Sequence, residues 1–272
     1  MKFNRTKDIE NLLVELLKED LYIKCLEKDV HNGKVFMAFR SSAIDFYYGG
    51  SKIYSYSKDK FFSHRKFCIN ADTKNEYIKQ DTLDSINIIT CPIQNYALIK
   101  DNAKKYGGIE DQGISNLFNQ DYFSKQNIFL LDIEIALENG RIDILLYDNN
   151  TSTLKFIEAK DYSNKELWST VGTKPEVVRQ IERYNKDLIN FKNEILNEYT
   201  QYILILNKFF NLNITEPKEM AETTSLYVFG FDQNQKNKIE KSLKDDNSLE
   251  NIKYYFNGDP KKTNIETLFK KS

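Results

Sequence analysis

Residues 156–164 read FIEAKDYSN, and the reading of this stretch decides the fold. Glu158 and Lys160 sit inside an apolar run, separated by Ala159. Strand side chains alternate between faces, so Leu154, Phe156, Glu158 and Lys160 project the same way, with the two charges about 7 Å apart along the strand. Just upstream, RIDILLYDN (141–149) holds Asp143 between Ile142 and Ile144. The intervening loop, centred on Asn149-Asn150, is short enough for Asp143 and Glu158 to pair across the ladder. Burying an unpaired carboxylate costs on the order of a few kcal/mol, so each acid needs a partner. A divalent metal shared by both is the most economical one. The plainer alternative is a solvated strand edge whose surface ion pair is worth about 0–1 kcal/mol.

Working outward, NIFLLDIEIAL (127–137) precedes this pair of strands, with Asn139-Gly140 as the turn. Within it, Glu134 shares a face with Asp132 and Ala136, either beside the acids or in a solvent-facing row. Downstream, KPEVVRQIERYNKDLINFKNEILNEY (174–199) predicts one long helix with the stripe Val177, Ile181, Tyr184, Leu188, Phe191 and Ile195. QYILILNKF (201–209) and SLYVFGFD (225–232) read as two more apolar strands. From residue 108 the order is α-β-β-β-α-β with a further strand, an α/β arrangement with a mixed sheet between helices.

The first hundred residues have another texture. Ile9, Leu12, Leu13, Leu16 and Leu17 recur at helical spacing over 6–18. Aromatic and β-branched residues from Val35 to Tyr56 flank Gly49-Gly50, as in strands joined by a hairpin turn. A helix is predicted after Pro92, ending at Gly107-Gly108. The expected division is an α+β lobe over 1–106, serving substrate or partner recognition, and a second domain with a C-terminal extension over 107–272.

Two helical segments add polar groups to the acids. IEDQGISNLF (109–118) predicts a short helix on which Glu110 shares a face with Ile114 and Leu117. On the later helix Gln180 and Tyr184 stand one turn apart, and Tyr184 belongs to the apolar stripe. Taken together, Glu110, Asp143, Glu158-Ala159-Lys160 and Gln180-x-x-x-Tyr184 resemble the PD-(D/E)XK nuclease superfamily, in its RecB-like variant with a helical QxxxY motif. The resemblance spans about 108–232. Ile142 stands where the eponymous proline would be, a departure shared by many members.

The resemblance implies a restriction-endonuclease-like fold and hydrolysis of phosphodiester bonds with Mg²⁺ or Mn²⁺, on DNA rather than RNA. It implies Asp143 and Glu158 as metal ligands, with the Ala159 carbonyl as a third and Glu110 for a second metal or a water. Hard oxygen donors of this kind suit Mg²⁺, which keeps several waters and takes one or two carboxylates. Lys160 would position the attacking water or neutralise developing charge, and Gln180 and Tyr184 would hold Lys160 or a phosphate. Restriction, repair and anti-phage defence are the roles such proteins serve. The competing expectation is a nuclease-fold protein that no longer cuts and serves as a nucleic-acid-binding or assembly subunit.

Composition bounds these readings. The 272 residues are 40% hydrophobic and 13% aromatic with a formal net charge of −1, so a basic nucleic-acid coat is excluded and phosphate contacts need a local patch or a metal. Lys58, Lys60, Arg65 and Lys66 surround Phe61 and Phe62 in SKDKFFSHRKF (57–67), an interleaving that can track a backbone and stack on bases. The alternative is a solvated hairpin with one buried aromatic face. Cys25, Cys68, Cys91 and His64 read as structural, because their spacing forms no zinc or disulfide framework; a reducing cytoplasm is the expected compartment. The opening residues do not form a secretory signal, no run is long enough to cross a membrane, and a homodimer or a protein partner is compatible with the chain.

Overall fold

A computed structural model describes residues 3–67, 96–120, 123, 126–169, 173–245 and 252–272. The chain forms two compact units, Asn4–Phe118 and Asn119–Ser272, the second including Met1–Phe3. The division lies after Phe118, where the sequence placed it after residue 106. The helix carrying Glu110 therefore belongs to the N-terminal unit.

In that unit α1 (Ile9–Leu16) buries Ile9, Leu12, Leu13 and Leu16, the stripe its spacing predicted, while Leu17 at its end is exposed. A π-helical turn (Tyr22–Leu26) runs into α2 (Glu27–His31). Strands β1 (Phe36–Arg40), β2 (Ala43–Tyr48), β3 (Ser51–Ser57) and β4 (Lys60–Phe62) form an antiparallel meander. Gly49 and Gly50 make the β2–β3 turn with φ of 55° and 82°, the mirror-image geometry that matches strand twist. Lys58 and Asp59 make the β3–β4 turn with φ of 50° and 56°, the same turn without glycine. Helix α3 (Tyr96–Tyr106) ends at the expected glycines, and α4 (Ile109–Ser115) follows; residues 92–95 lie outside the described residues.

The C-terminal unit contains the sheet that matters for the site. β5 (Ile128–Leu137), β6 (Gly140–Asp148) and β7 (Thr153–Asp161) form an antiparallel meander, and all three match the predicted segments closely. The chain then crosses over through α5 (Glu176–Asn190) and α6 (Lys192–Phe210). It returns as β8 (Glu219–Met220) and β9 (Ser225–Phe229), each parallel to β7. Helix α7 (Gln233–Asp245), β10 (Tyr254–Asn257), parallel to β9, and α8 (Ile265–Lys271) complete it. The sheet is thus mixed, in the order β10-β9-β7-β6-β5, with helices beside it. Lys155 on β7 donates to the Phe269 carbonyl at 2.6 Å, tying α8 to the sheet.

Two expectations are corrected here. The long helix is broken at Phe191, whose φ of −108° and ψ of 16° leave the helical region. The segment QYILILNKF is helical, not a strand. It continues α6, burying Ile195, Tyr199, Tyr202, Ile203 and Leu206 on one face while Leu204 remains exposed. No turn residue separates it from the preceding helix, and the stop comes only at Asn211, left-handed with φ 53°. A short apolar run carries no decisive period by itself. The C-terminal extension supplies the edge strand β10 and helix α8. No helix among the described residues is long and apolar enough to cross a membrane.

Candidate active site

The strand registers open the site. β6 and β7 pair from Ile144↔Ile157 to Asp148↔Thr153. Beyond Ile144, the first residues of β6 stay paired with β5, as in Ile135↔Ile142. The last residues of β7 keep only the neighbour on their other edge, β9, from Ile157↔Ser225 to Asp161↔Phe229. The two central strands therefore part at this end, and Asp143 and Glu158 are the next residues on either side of the split. Ala159 N–H, which would otherwise continue the ladder, donates to Asp143 Oδ2 at 2.9 Å. The Asp143 side chain thus stands in for the lost backbone acceptor and is held by it.

Lys160 Nζ lies 2.8 Å from Glu158 Oε1 and 2.9 Å from Glu166 Oε2. The Lys160 and Glu158 side chains are 8% and 3% exposed, so this is a buried pair and the solvated-edge alternative falls. Burial works against the Lys160 charge, but Glu158, Asp143 and Glu166 outweigh it and hold the ammonium well above its ordinary range. The surrounding carboxylates thus favour Lys160 as a cation. For Glu166 burial likewise opposes ionisation, yet Lys160, Gln180 and Arg183 together hold its carboxyl below the usual range.

Helix α5 reaches the site because the loops clamp it. Asp187 accepts from Asn139 N–H at 2.9 Å and from the Asn139 side chain at 2.7 Å, fixing the β5–β6 turn. Asn185 accepts from Thr224 N–H at 2.6 Å, fixing the approach to β9. Beside these anchors Tyr184 lies over Gly140, where an added Cβ would come within 2.7 Å of its ring and force it aside. Burial, then Glu158 and Asp143, push the Tyr184 phenol up to about 12, which places it beside both acids in its neutral form. Gln180 does not act on Lys160 directly; its side chain bonds Glu166, which in turn holds Lys160.

The structure thus brings together Asp143, Glu158, Lys160, Gln180 and Tyr184. Ala159 is seen as a donor to Asp143. Glu110 is on α4 of the N-terminal unit, whereas Asp143, Glu158 and Lys160 belong to the C-terminal unit. Sequence reasoning missed Glu166. It lies on a 3-10 turn (Lys165–Leu167) capped by Asn164, whose Oδ1 accepts Glu166 N–H at 2.8 Å. The Asn164-x-Glu166 spacing was the available signal. Asp132 is fully buried, taking Tyr199 O–H at 2.9 Å and Ile133 N–H at 2.8 Å. Glu134, with φ of 50°, pairs with Arg141 at 3.4 Å.

Among the described residues no three histidine, cysteine or acidic side chains gather to hold a metal. Asp143 and Glu158, with the main-chain carbonyl of Ala159, would offer hard oxygens only, the chemistry that Mg²⁺ or Mn²⁺ takes with its remaining positions filled by water.

The basic hairpin of the N-terminal unit is only partly available. Phe61 is buried against Tyr56, Tyr54 and Phe46, with ring centroids 4.8, 5.8 and 6.0 Å away, so it cannot stack on a base. Lys66 is turned onto the Tyr106 carbonyl at 3.4 Å and the Phe67 ring at 4.9 Å. The Arg65 side chain lies outside the described residues. Lys58 and Lys60 are exposed at the turn. If this turn meets a duplex, Lys58→Ala with Lys60→Ala lowers the salt slope of binding by about 1.8, or ~0.9 per lost contact. An unchanged slope in a salt series would mark the turn as a solvated face. His64 accepts from Lys66 N–H, and burial, then Asp29, push the Cys25 thiol up, which suits structural roles. Cys68 and Cys91 lie outside the described residues.

Comparison of the chain with family models, with curated proteins and with solved structures finds no match.

Proposed function

We propose that the C-terminal unit is a Mg²⁺- or Mn²⁺-dependent nuclease that hydrolyses phosphodiester bonds, with DNA as substrate, and that its fold is of the restriction-endonuclease type. The observation that carries this reading is the parting of β6 and β7 with Asp143, Glu158 and Lys160 around the split. A rigid sheet that places two acids and a buried lysine at one end is suited to phosphate chemistry. A bound divalent cation would supply an activated water and charge stabilisation on the phosphate. Asp143 and Glu158 would hold it. Lys160 would offer its charge to the phosphate oxygens, where preorganised charge is most effective. Tyr184 contributes a neutral hydroxyl beside the acids, and Gln180 keeps the lysine's second partner in place.

A second reading has one observation on its side: Lys160 already compensates Glu158 and Glu166 without any cation. On that reading the unit is a nuclease-fold binding or assembly subunit that does not cut. One experiment separates the two. Purified protein is incubated with plasmid, linear duplex, single-stranded DNA and RNA, with and without Mn²⁺. Cleavage of DNA only with Mn²⁺ is expected. Binding without cleavage of any of the four substrates would favour the second reading and overturn the first.

A further inference from the structure

Lys160 has two carboxylate partners where one would balance its charge. They differ in kind. Glu158 is a strand residue enclosed by the sheet, whereas the Glu166 side chain is 37% exposed on a 3-10 turn at the rim. Glu166 is nevertheless held from two sides, by the Asn164 cap on its N–H and by Gln180 on its carboxylate. The side-chain oxygen of Gln180, Oε1, is buried with no hydrogen-bond partner, while its amide N–H group is the one that serves Glu166. A side chain anchored this way at the rim has a use beyond neutralising a lysine that already has Glu158.

We infer that Glu166 is a positioning residue, which retains the Lys160 ammonium when Glu158 turns to a divalent cation and so sets how tightly the site takes that cation. The inference rests on the metal-dependent reading above. Ammonium and cation compete for the same carboxylate, since Glu158 cannot leave the sheet. With Glu166 present, Lys160 keeps a counter-ion of its own, and less positive charge faces the incoming metal. Without it, Lys160 falls back on Glu158 alone and the cation must displace it. Gln180 acts through Glu166, and this gives the helical glutamine a role that its distance along the chain from Lys160 does not suggest.

The test is calorimetric titration of the full chain with MnCl₂, which reads affinity without any turnover. Glu166→Gln is expected to weaken Mn²⁺ binding by about 10–100-fold, the usual effect of removing a group that supports a ligand. In a Lys160→Met background the same substitution should change affinity by no more than about 2-fold, because the residue it acts through is gone. Gln180→Leu alters no charge and should weaken Mn²⁺ binding in the same direction, with no further loss when combined with Glu166→Gln. Equal losses from Glu166→Gln in both backgrounds would mean a bare charge effect. That result, or wild-type affinity in Gln180→Leu, overturns the inference and leaves the metal-dependent reading standing. A wild-type chain that takes up no Mn²⁺ overturns both together.

Discussion

Lys160→Met protein without divalent cation should be less stable than wild type by about 3–5 kcal/mol, the cost of breaking a buried ion pair from one side. Glu158, at 3% side-chain exposure, would lose the ammonium 2.8 Å away and has no route to solvent, whereas Glu166 at the rim can turn outward. Saturating Mn²⁺ should return most of the loss, since a ligand that binds only the folded state stabilises it by mass action. The pH dependence has a definite sign. The Lys160 ammonium is held above its ordinary range, so its contribution is fully present below the unfolded lysine value and fades only as pH rises through the raised one. Wild type therefore shows no step from this lysine between pH 5 and 9. With Mn²⁺ bound and the fold intact, cleavage should fall about 100–1,000-fold, as when one preorganised charge donor is removed. A variant that melts within about 1 kcal/mol of wild type would mean that the pair is worth no more than a surface one, against its burial.

Asp143→Asn should give the opposite signature. Asparagine retains an oxygen that can accept Ala159 N–H, the bond made at 2.9 Å, so the parted strand ends stay closed off and the fold is kept. Stability without cation should change by less than about 1 kcal/mol, because the hydrogen bond survives while repulsion from Glu158 is relieved. Mn²⁺ affinity should drop by more than about 100-fold, beyond the effect of losing a mere supporting group. Cleavage should fall in step. Thermal melts and calorimetric titration of the two variants thus give a crossed pattern, one losing stability and keeping metal, the other losing metal and keeping stability. Unaltered Mn²⁺ affinity in Asp143→Asn would remove Asp143 from the ligand set and with it the proposed site.

Much of the site was legible because a strand converts sequence spacing directly into facing. Alternation placed Glu158 and Lys160 on one face of β7, and the short loop before it put Asp143 opposite Glu158. The same logic carried β5, β6 and the Gly49-Gly50 hairpin, whose boundaries depend on turn chemistry a few residues long. Helical segments were legible only where a breaker marked their ends. Nothing of that kind stands between Tyr199 and Gln201, so an apolar run read as a strand was in fact the second half of α6, and the bend at Phe191 had no residue to announce it.

What the chain determines locally is therefore the meander, the opposed acids and the lysine two residues after Glu158 on the same strand face. Tertiary structure alone decides the rest. Glu166 meets Lys160 only because a capped 3-10 turn folds back over the end of β7. Gln180 meets Glu166 only because Asp187 and Asn185 pin α5 to two loops distant in sequence. In the N-terminal unit, the Phe61 of a promising basic and aromatic string is consumed by the core. Each of these contacts joins groups whose separation along the chain has no fixed relation to their separation in space. Their energy comes from burial and charge pairing, which exist only once the sheet and its helices have packed.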